Sequence, residues 1–136
     1  MKVFVLLFTI FLSIGSNVYQ KNPQDCYESI NADDFYLYMN QDSTVVLDVR
    51  EYKEYKKNRI SDARSIPNKK FLLEYCKNLD KQTIILVYCE MGITSKTVSK
   101  ILCNELKFTN VYNLNQGLET WIMRGYDIDN SRIKKK

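Results

Sequence analysis

The chain has 136 residues, enough for one domain with a core of its own. With 45% hydrophobic and 26% charged residues it has the balance of a folded globular protein, which excludes a low-complexity or disordered chain. Its formal charge of +4 sits at the ends: removing the five charges of Lys2, Arg132, Lys134, Lys135 and Lys136 leaves a body of −1, so no nucleic-acid surface is expected.

Met1-Lys2 is followed by an apolar run from Val3 to Leu12 and by the small residues Ser13, Gly15 and Ser16. This pattern predicts a secretory signal peptide over 1–15, cleaved before Ser16. The run is shorter than the roughly 20 residues of a membrane span; an uncleaved N-terminal anchor is the alternative, and no other membrane contact is expected. Export to a periplasm or to the outside of the cell follows. Residues 16–26 read as a polar arm, 27–129 as the folded domain and 130–136 as a basic, solvated tail.

Glu28-Ser29-Ile30 reads as a short strand. Asn31 then offers an N-cap, with Asp33 and Asp34 in the first turn of a helix. Phe35, Tyr38 and Met39 recur at i, i+3 and i+4 and give that helix a buried face. The run from Thr44 to Val49 is β-branched and apolar, as in a strand covered on both faces. Residues 51–57 form a short charged helix with Tyr52 and Tyr55 interleaved. A brief strand spans 63–66 and is stopped by Pro67. Phe71, Leu72, Tyr75, Cys76 and Leu79 make a helical stripe, and 84–88 is the clearest strand of the chain. A second stripe runs through Val98, Ile101, Leu102 and Leu106. Residues 111–114 form a last strand, and Leu118, Trp121 and Ile122 mark a final helix ended by Gly125. Such alternation predicts an α/β fold, a mostly parallel five-stranded sheet with helices on both faces. In such sheets, ligand sites lie outside the carboxyl ends of the strands.

The chain holds Cys26, Cys76, Cys89 and Cys103, no C-x-x-C pair and no histidine. That weighs against a redox dithiol and a zinc site, and no metal or organic cofactor is implied. Cys76 and Cys103 lie on or beside apolar helical stripes and read as packing. Cys26, in the arm, reads as a disulfide partner or a resolving thiol, with the connectivity open.

Cys89 is different, because it ends the strand 84–88 and opens a short loop before a helix. Loop amides and a helix N-terminus both favour a thiolate there. The amides from Glu90 to Thr94, through Met91, Gly92 and Ile93, are placed to converge on the sulfur as an anion nest. Gly92 lets the backbone curl, and the hydroxyls of Thr94 and Ser95 are expected to add donors and to cap the next helix.

Four segments in order resemble a single-domain rhodanese, a sulfurtransferase-like module. Val46-Leu47-Asp48-Val49-Arg50-Glu51 with Glu54 resembles L-D-V-R-x-x-x-E. Residues 59–67 resemble H-I-x-G-A-x-x-I-P, residues 88–95 resemble Y-C-x-x-G-x-x-S, and residues 116–125 resemble G-G-x-x-x-W-x-x-x-G. The resemblance implies a rhodanese-like fold and a reaction in which Cys89 attacks the outer sulfur of thiosulfate or a persulfide, then passes it on to a thiol- or cyanide-like acceptor. It places Glu90, Met91, Gly92, Ile93, Thr94 and Ser95 around the substrate. Asp48 and Arg50 read as structural support, and no oligomer is implied. A partner protein could serve as donor or acceptor, and a non-catalytic or sulfur-carrying module is the competing reading. A cysteine phosphatase is disfavoured, because C-x5-R needs an arginine where Ser95 stands.

Several positions depart from the family pattern. Asn58 and Arg59 replace a common Gly-His, and Asp62 and Gln116 replace glycines. Glu90 and Thr94 stand where arginine is frequent. If it faces the sulfur, Glu90 opposes an anionic donor and raises the thiol pKa; if it points to solvent, it does neither.

Overall fold

A computed structural model describes residues 25–133. The segment expected to be a signal peptide, most of the arm, and Lys134, Lys135 and Lys136 of the tail lie outside the described residues. The elements, in chain order, are β1 (Glu28–Ile30), α1 (Ala32–Met39), β2 (Thr44–Asp48), α2 (Tyr52–Lys57), β3 (Arg64–Ser65), α3 (Lys69–Cys76), β4 (Ile84–Tyr88), α4 (Thr94–Lys100), β5 (Asn110–Leu114) and α5 (Gly117–Met123). All the strand pairings among them are parallel, and the sheet order is β1-β5-β4-β2-β3. This is the expected α/β architecture, with β4 at the centre.

The β4 side chains alternate between two cores. Ile85 and Val87 join Leu47, Leu72, Leu102 and Val111 on the face covered by α3 and α4. Leu86 and Tyr88 join Phe35, Leu114, Leu118 and Trp121 on the face covered by α1 and α5. A strand buried on both faces cannot alternate polar and apolar residues, which is why β4 reads as a continuous apolar run. Phe35 is fully buried, edge-on to both Tyr88 and Trp121. Burying such a ring contributes about 2–3 kcal/mol.

The helix ends follow local chemistry. Asn31 Oδ1 accepts from the Asp34 amide at 2.8 Å, as expected of an N-cap. At the end of α5 the Gly125 amide donates to Ile122 O and the Tyr126 amide to Trp121 O, the paired bonds of a Schellman motif. Two stripe residues are exposed rather than buried or half-buried: Phe71 is 53% exposed and Ile122 is 45% exposed. Each lies one position off the centre of its helix's buried face, defined by Leu72 and Cys76 in α3 and by Leu118 and Trp121 in α5.

Cys103 is not simple packing. It forms a disulfide with Cys26 across 77 residues. The bond fastens the segment before β1 to the helical turn Ile101–Glu105, where the ladder widens to π spacing and the Leu106 amide donates to Ile101 O. Closing a loop of that length stabilises a fold by about 4 kcal/mol in the chain-entropy account.

Two of the positions where the family pattern has glycine are held left-handed by other residues: Asp62 at φ 61° and Gln116 at φ 62°. A side chain in that region is strained by roughly 1 kcal/mol relative to glycine. Gln116→Gly is therefore expected to raise the unfolding free energy by about 0.5–1 kcal/mol, read from the denaturant midpoint at unchanged slope.

Candidate active site

β2 and β4 run side by side and end together, with Asp48 in register with Tyr88. The Val49 amide donates to Tyr88 O at 3.0 Å, so the segments that leave the two strands start as neighbours. Cys89 is the first residue beyond β4 and is 4% exposed. Its Sγ accepts from the Ser95 amide at 3.4 Å and lies 3.3 Å from Ser95 Oγ.

The loop from Glu90 to Ile93 is braced from behind by the turn into α5. The Leu118 amide donates to Cys89 O at 2.8 Å and the Glu119 amide to Glu90 O at 3.2 Å. Contact is so close that both glycines at the crossing are obligatory. A Cβ on Gly92, at φ +77°, would stand 2.8 Å from the Gln116 nitrogen. A Cβ on Gly117, at φ +63°, would collide with the Cys89 and Glu90 carbonyls. Gly92 was legible as a loop residue. The bracing by Gly117 was not, because its partners lie nearly thirty residues away in sequence.

The expected convergence of amides is narrower than the loop suggested. Among the described residues it is the Ser95 amide that reaches the resting sulfur. Thr94 and Ser95 do not cap α4: Ile93 occupies the N-cap position and no side chain caps the helix. Ser95 is fully buried with its hydroxyl turned to the sulfur, which removes it from capping.

A pocket of about 520 Å³ opens over Cys89. It is lined by Cys89, Glu90, Met91, Ile93 and Thr94 from the loop, Val49, Arg50 and Glu51 from the end of β2, and Pro67. Gly92 faces the α5 turn and Ser95 lies beneath the sulfur, so neither lines the cavity. Met91 and Ile93 are 61% and 70% exposed and form an apolar rim. Val49, Glu51 and Pro67 were not singled out for the site; their place after a strand end was the available signal.

Arg50 lines the cavity, and Asp48 lies buried behind it. Asp48 is fully buried, and its carboxylate accepts from the Arg50 amide, from Arg50 Nε and Nη2, and from the Tyr88 hydroxyl at 2.6 Å. Tyr88 Oη in turn accepts from the Ile60 amide at 3.1 Å. Arg50 also donates to the Asn58 carbonyl, and its Nη1 reaches Glu90 Oε2 at 2.9 Å. Burial opposes the Arg50 charge, but hydrogen bonds to Asp48 and Glu90 outweigh it and hold its pKa above the usual range. Burial, then the Asp48 charge, push the Tyr88 phenol well above its ordinary value, so it stays a donor. Glu90 is thus neither aimed at the sulfur nor free in solvent. Its side chain is 58% exposed, with the carboxylate drawn to Arg50. Among the described residues no group of three or more His, Cys, Asp or Glu is placed to hold a metal ion.

The rhodanese-like domain family model matches residues 31–124. Among curated proteins the chain is similar to the thiosulfate sulfurtransferase GlpE of Coxiella burnetii (strain RSA 493 / Nine Mile phase I), 40% identical over 77 residues that cover 57% of this chain and 70% of that protein. GlpE of Pseudomonas entomophila (strain L48) is 28% identical over 85 residues, covering 62% and 76%. Among solved structures, a rhodanese-related protein from Thermoplasma volcanium matches with a TM-score of 0.62 at 29% identity, over 76% of this chain and 98% of that one. The rhodanese-like domain of Alr3790 from Anabaena matches with a TM-score of 0.66 at 22% identity, over 76% and 79%, a likeness of fold.

Two outcomes test this geometry. Gly117→Ala is expected to cost at least about 2 kcal/mol, because neither colliding carbonyl is the end of a flexible side chain; a denaturant titration reads it. Cys76, which burial pushes from 9.0 up to about 11, is expected to resist iodoacetamide near pH 8 in the folded protein. Since the folded pKa lies above the ordinary one, the stability Cys76 contributes is complete below about pH 9 and is lost as pH rises through about 11. Peptide mapping reads the labelling, and unfolding midpoints across that range read the stability.

Proposed function

The chain belongs to the rhodanese-like family, and from that membership we propose that it is a sulfurtransferase in which Cys89 carries the sulfur. The observation that supports this most is the buried Cys89 sulfur, held by the amide and hydroxyl of Ser95 on the floor of an open pocket. The GlpE relatives bear the name thiosulfate sulfurtransferase, which makes a sulfane sulfur the natural cargo.

The reaction has two steps. The Cys89 thiolate attacks the outer sulfur of the donor; an Sγ–S bond forms, the donor's S–S bond breaks, and its electron pair leaves with sulfite or a thiolate. An acceptor thiolate or cyanide then attacks the outer sulfur of the Cys89 persulfide, and that bond breaks to return the Cys89 thiolate. Neither step needs a proton relay, consistent with a chain that lacks histidine. Hydrogen-bond donors replace the base: the Ser95 amide and hydroxyl stabilise the sulfur anion, and the amides from Glu90 to Thr94 receive the added sulfur one bond further out. Asp48 and Arg50 position the loop without touching the reacting atoms.

The unit that does this is residues 27–129, acting as a monomer on a small donor or on a partner protein. It works after export directed by residues 1–15, and the Cys26–Cys103 disulfide supports an oxidising compartment. A module that stores sulfur without turnover is the rival reading.

Incubation of the mature protein with thiosulfate or a persulfide is expected to add one sulfur atom to Cys89, seen by intact mass. Cyanide is expected to remove it as thiocyanate. Cys89→Ser should lose both. Loading without release would favour the storage module, and no loading from any donor would end the proposal.

A further inference from the structure

The charges around Cys89 bear on which donor it accepts. Arg50 is the single cation among the pocket-lining residues, and it is not free. It bonds Asp48 at 2.8 Å and Glu90 at 2.9 Å, so one guanidinium serves two carboxylates and the cluster carries a net −1. Glu51, the remaining charged residue of the lining, is paired with Lys53, and both side chains are about 70% exposed. Among the described residues no unpaired positive charge therefore lines the cavity, whereas Val49, Pro67, Met91 and Ile93 give its lining an apolar part. Thr94 supplies a hydroxyl where the family pattern often has arginine.

On the sulfur-transfer reading, we infer that this pocket selects sulfane donors bearing at most one negative charge on an apolar body, and that Glu90 sets the preference against dianionic thiosulfate. A dianion feels twice the repulsion of a monoanion at the same distance, and because the Glu90 side chain is 58% exposed that repulsion is open to screening by salt. The apolar rim adds a bias in the same direction, because thiosulfate has no apolar surface to bury while an organic donor has. Glu90 acts twice: it adds a carboxylate beside the nucleophile and occupies the Arg50 nitrogen that would otherwise face an anion.

Benzenethiosulfonate and thiosulfate make a matched pair of probes. In both, the Cys89 thiolate attacks the terminal sulfur, forms the persulfide bond and breaks a sulfur–sulfur bond; the electron pair leaves with benzenesulfinate in one case and sulfite in the other. Only charge and apolar area differ at the pocket. Rates of Cys89 loading are measured by intact mass for both donors, each divided by its rate with a small free thiol. Wild type is expected to favour benzenethiosulfonate by about tenfold or more, with thiosulfate loading that accelerates as salt screens the repulsion. In Glu90→Gln the thiosulfate-to-benzenethiosulfonate ratio is expected to rise about tenfold and the salt acceleration to fade. The side chain is at the surface, so an unchanged thermal midpoint certifies the fold. A wild-type ratio near one, or a ratio that Glu90→Gln leaves unmoved, overturns the inference and leaves sulfur transfer intact. If neither donor loads Cys89, the sulfur-transfer reading falls and the inference with it.

Discussion

The buried Asp48 carboxylate is the interaction on which the site depends. An ionised group without solvent is costly, and breaking such a pair typically costs about 3–5 kcal/mol. Here the charge is satisfied on every side: the Arg50 amide and guanidinium and the Tyr88 hydroxyl all donate to it. Through those partners the hub joins the ends of β2 and β4, the segment after α2 through Asn58 and Ile60, and the Cys89 loop through Glu90. The strands themselves are held by main-chain bonds that would tolerate small shifts. Four charge-assisted directions meeting at one carboxylate do not, and they give the carboxyl ends of the sheet a defined geometry.

The loop is then clamped between two unlike supports. On one side Arg50 holds Glu90 electrostatically. On the other the Gln116–Gly117 turn presses against the loop backbone, and the first amides of α5 bond the carbonyls of Cys89 and Glu90. With the carbonyls of Cys89 and Glu90 engaged by α5, the Ser95 amide is the backbone donor that meets the sulfur among the described residues. For the proposed sulfur transfer, preorganisation of this kind avoids reorganising dipoles as charge moves. The same arrangement draws the Glu90 carboxylate, which is next in sequence to Cys89, toward Arg50.

Much of the fold was legible in the residues. β2 and β4 are continuous apolar runs because both their faces are covered, and the Asn31 cap and the Gly125 stop are local chemistry. Cys89 stood out for the same reason, as a thiol at the end of a buried strand before a glycine loop. Stripe assignments failed where the window was short: Phe71 and Ile122 border the apolar faces of helices of eight and seven residues, and one position of rotation decides burial. Hydroxyl capping of α4 also failed, since Ser95 had two uses for one hydroxyl and local sequence does not rank a cap against a sulfur.

What the sequence alone determined was the α/β alternation, the family and the place of Cys89 at the end of a buried strand, because each depends on periodicity or on neighbours within a few residues. What the tertiary structure decided was every pairing between distant segments: Cys26 with Cys103, Arg50 with Glu90, Gly117 with the loop carbonyls. Pairing depends on which strand ends are brought together, and a parallel sheet joins residues some forty positions apart through crossover helices. The character of the pocket, a paired cation under an apolar rim, follows from that joining and from no single stretch of chain.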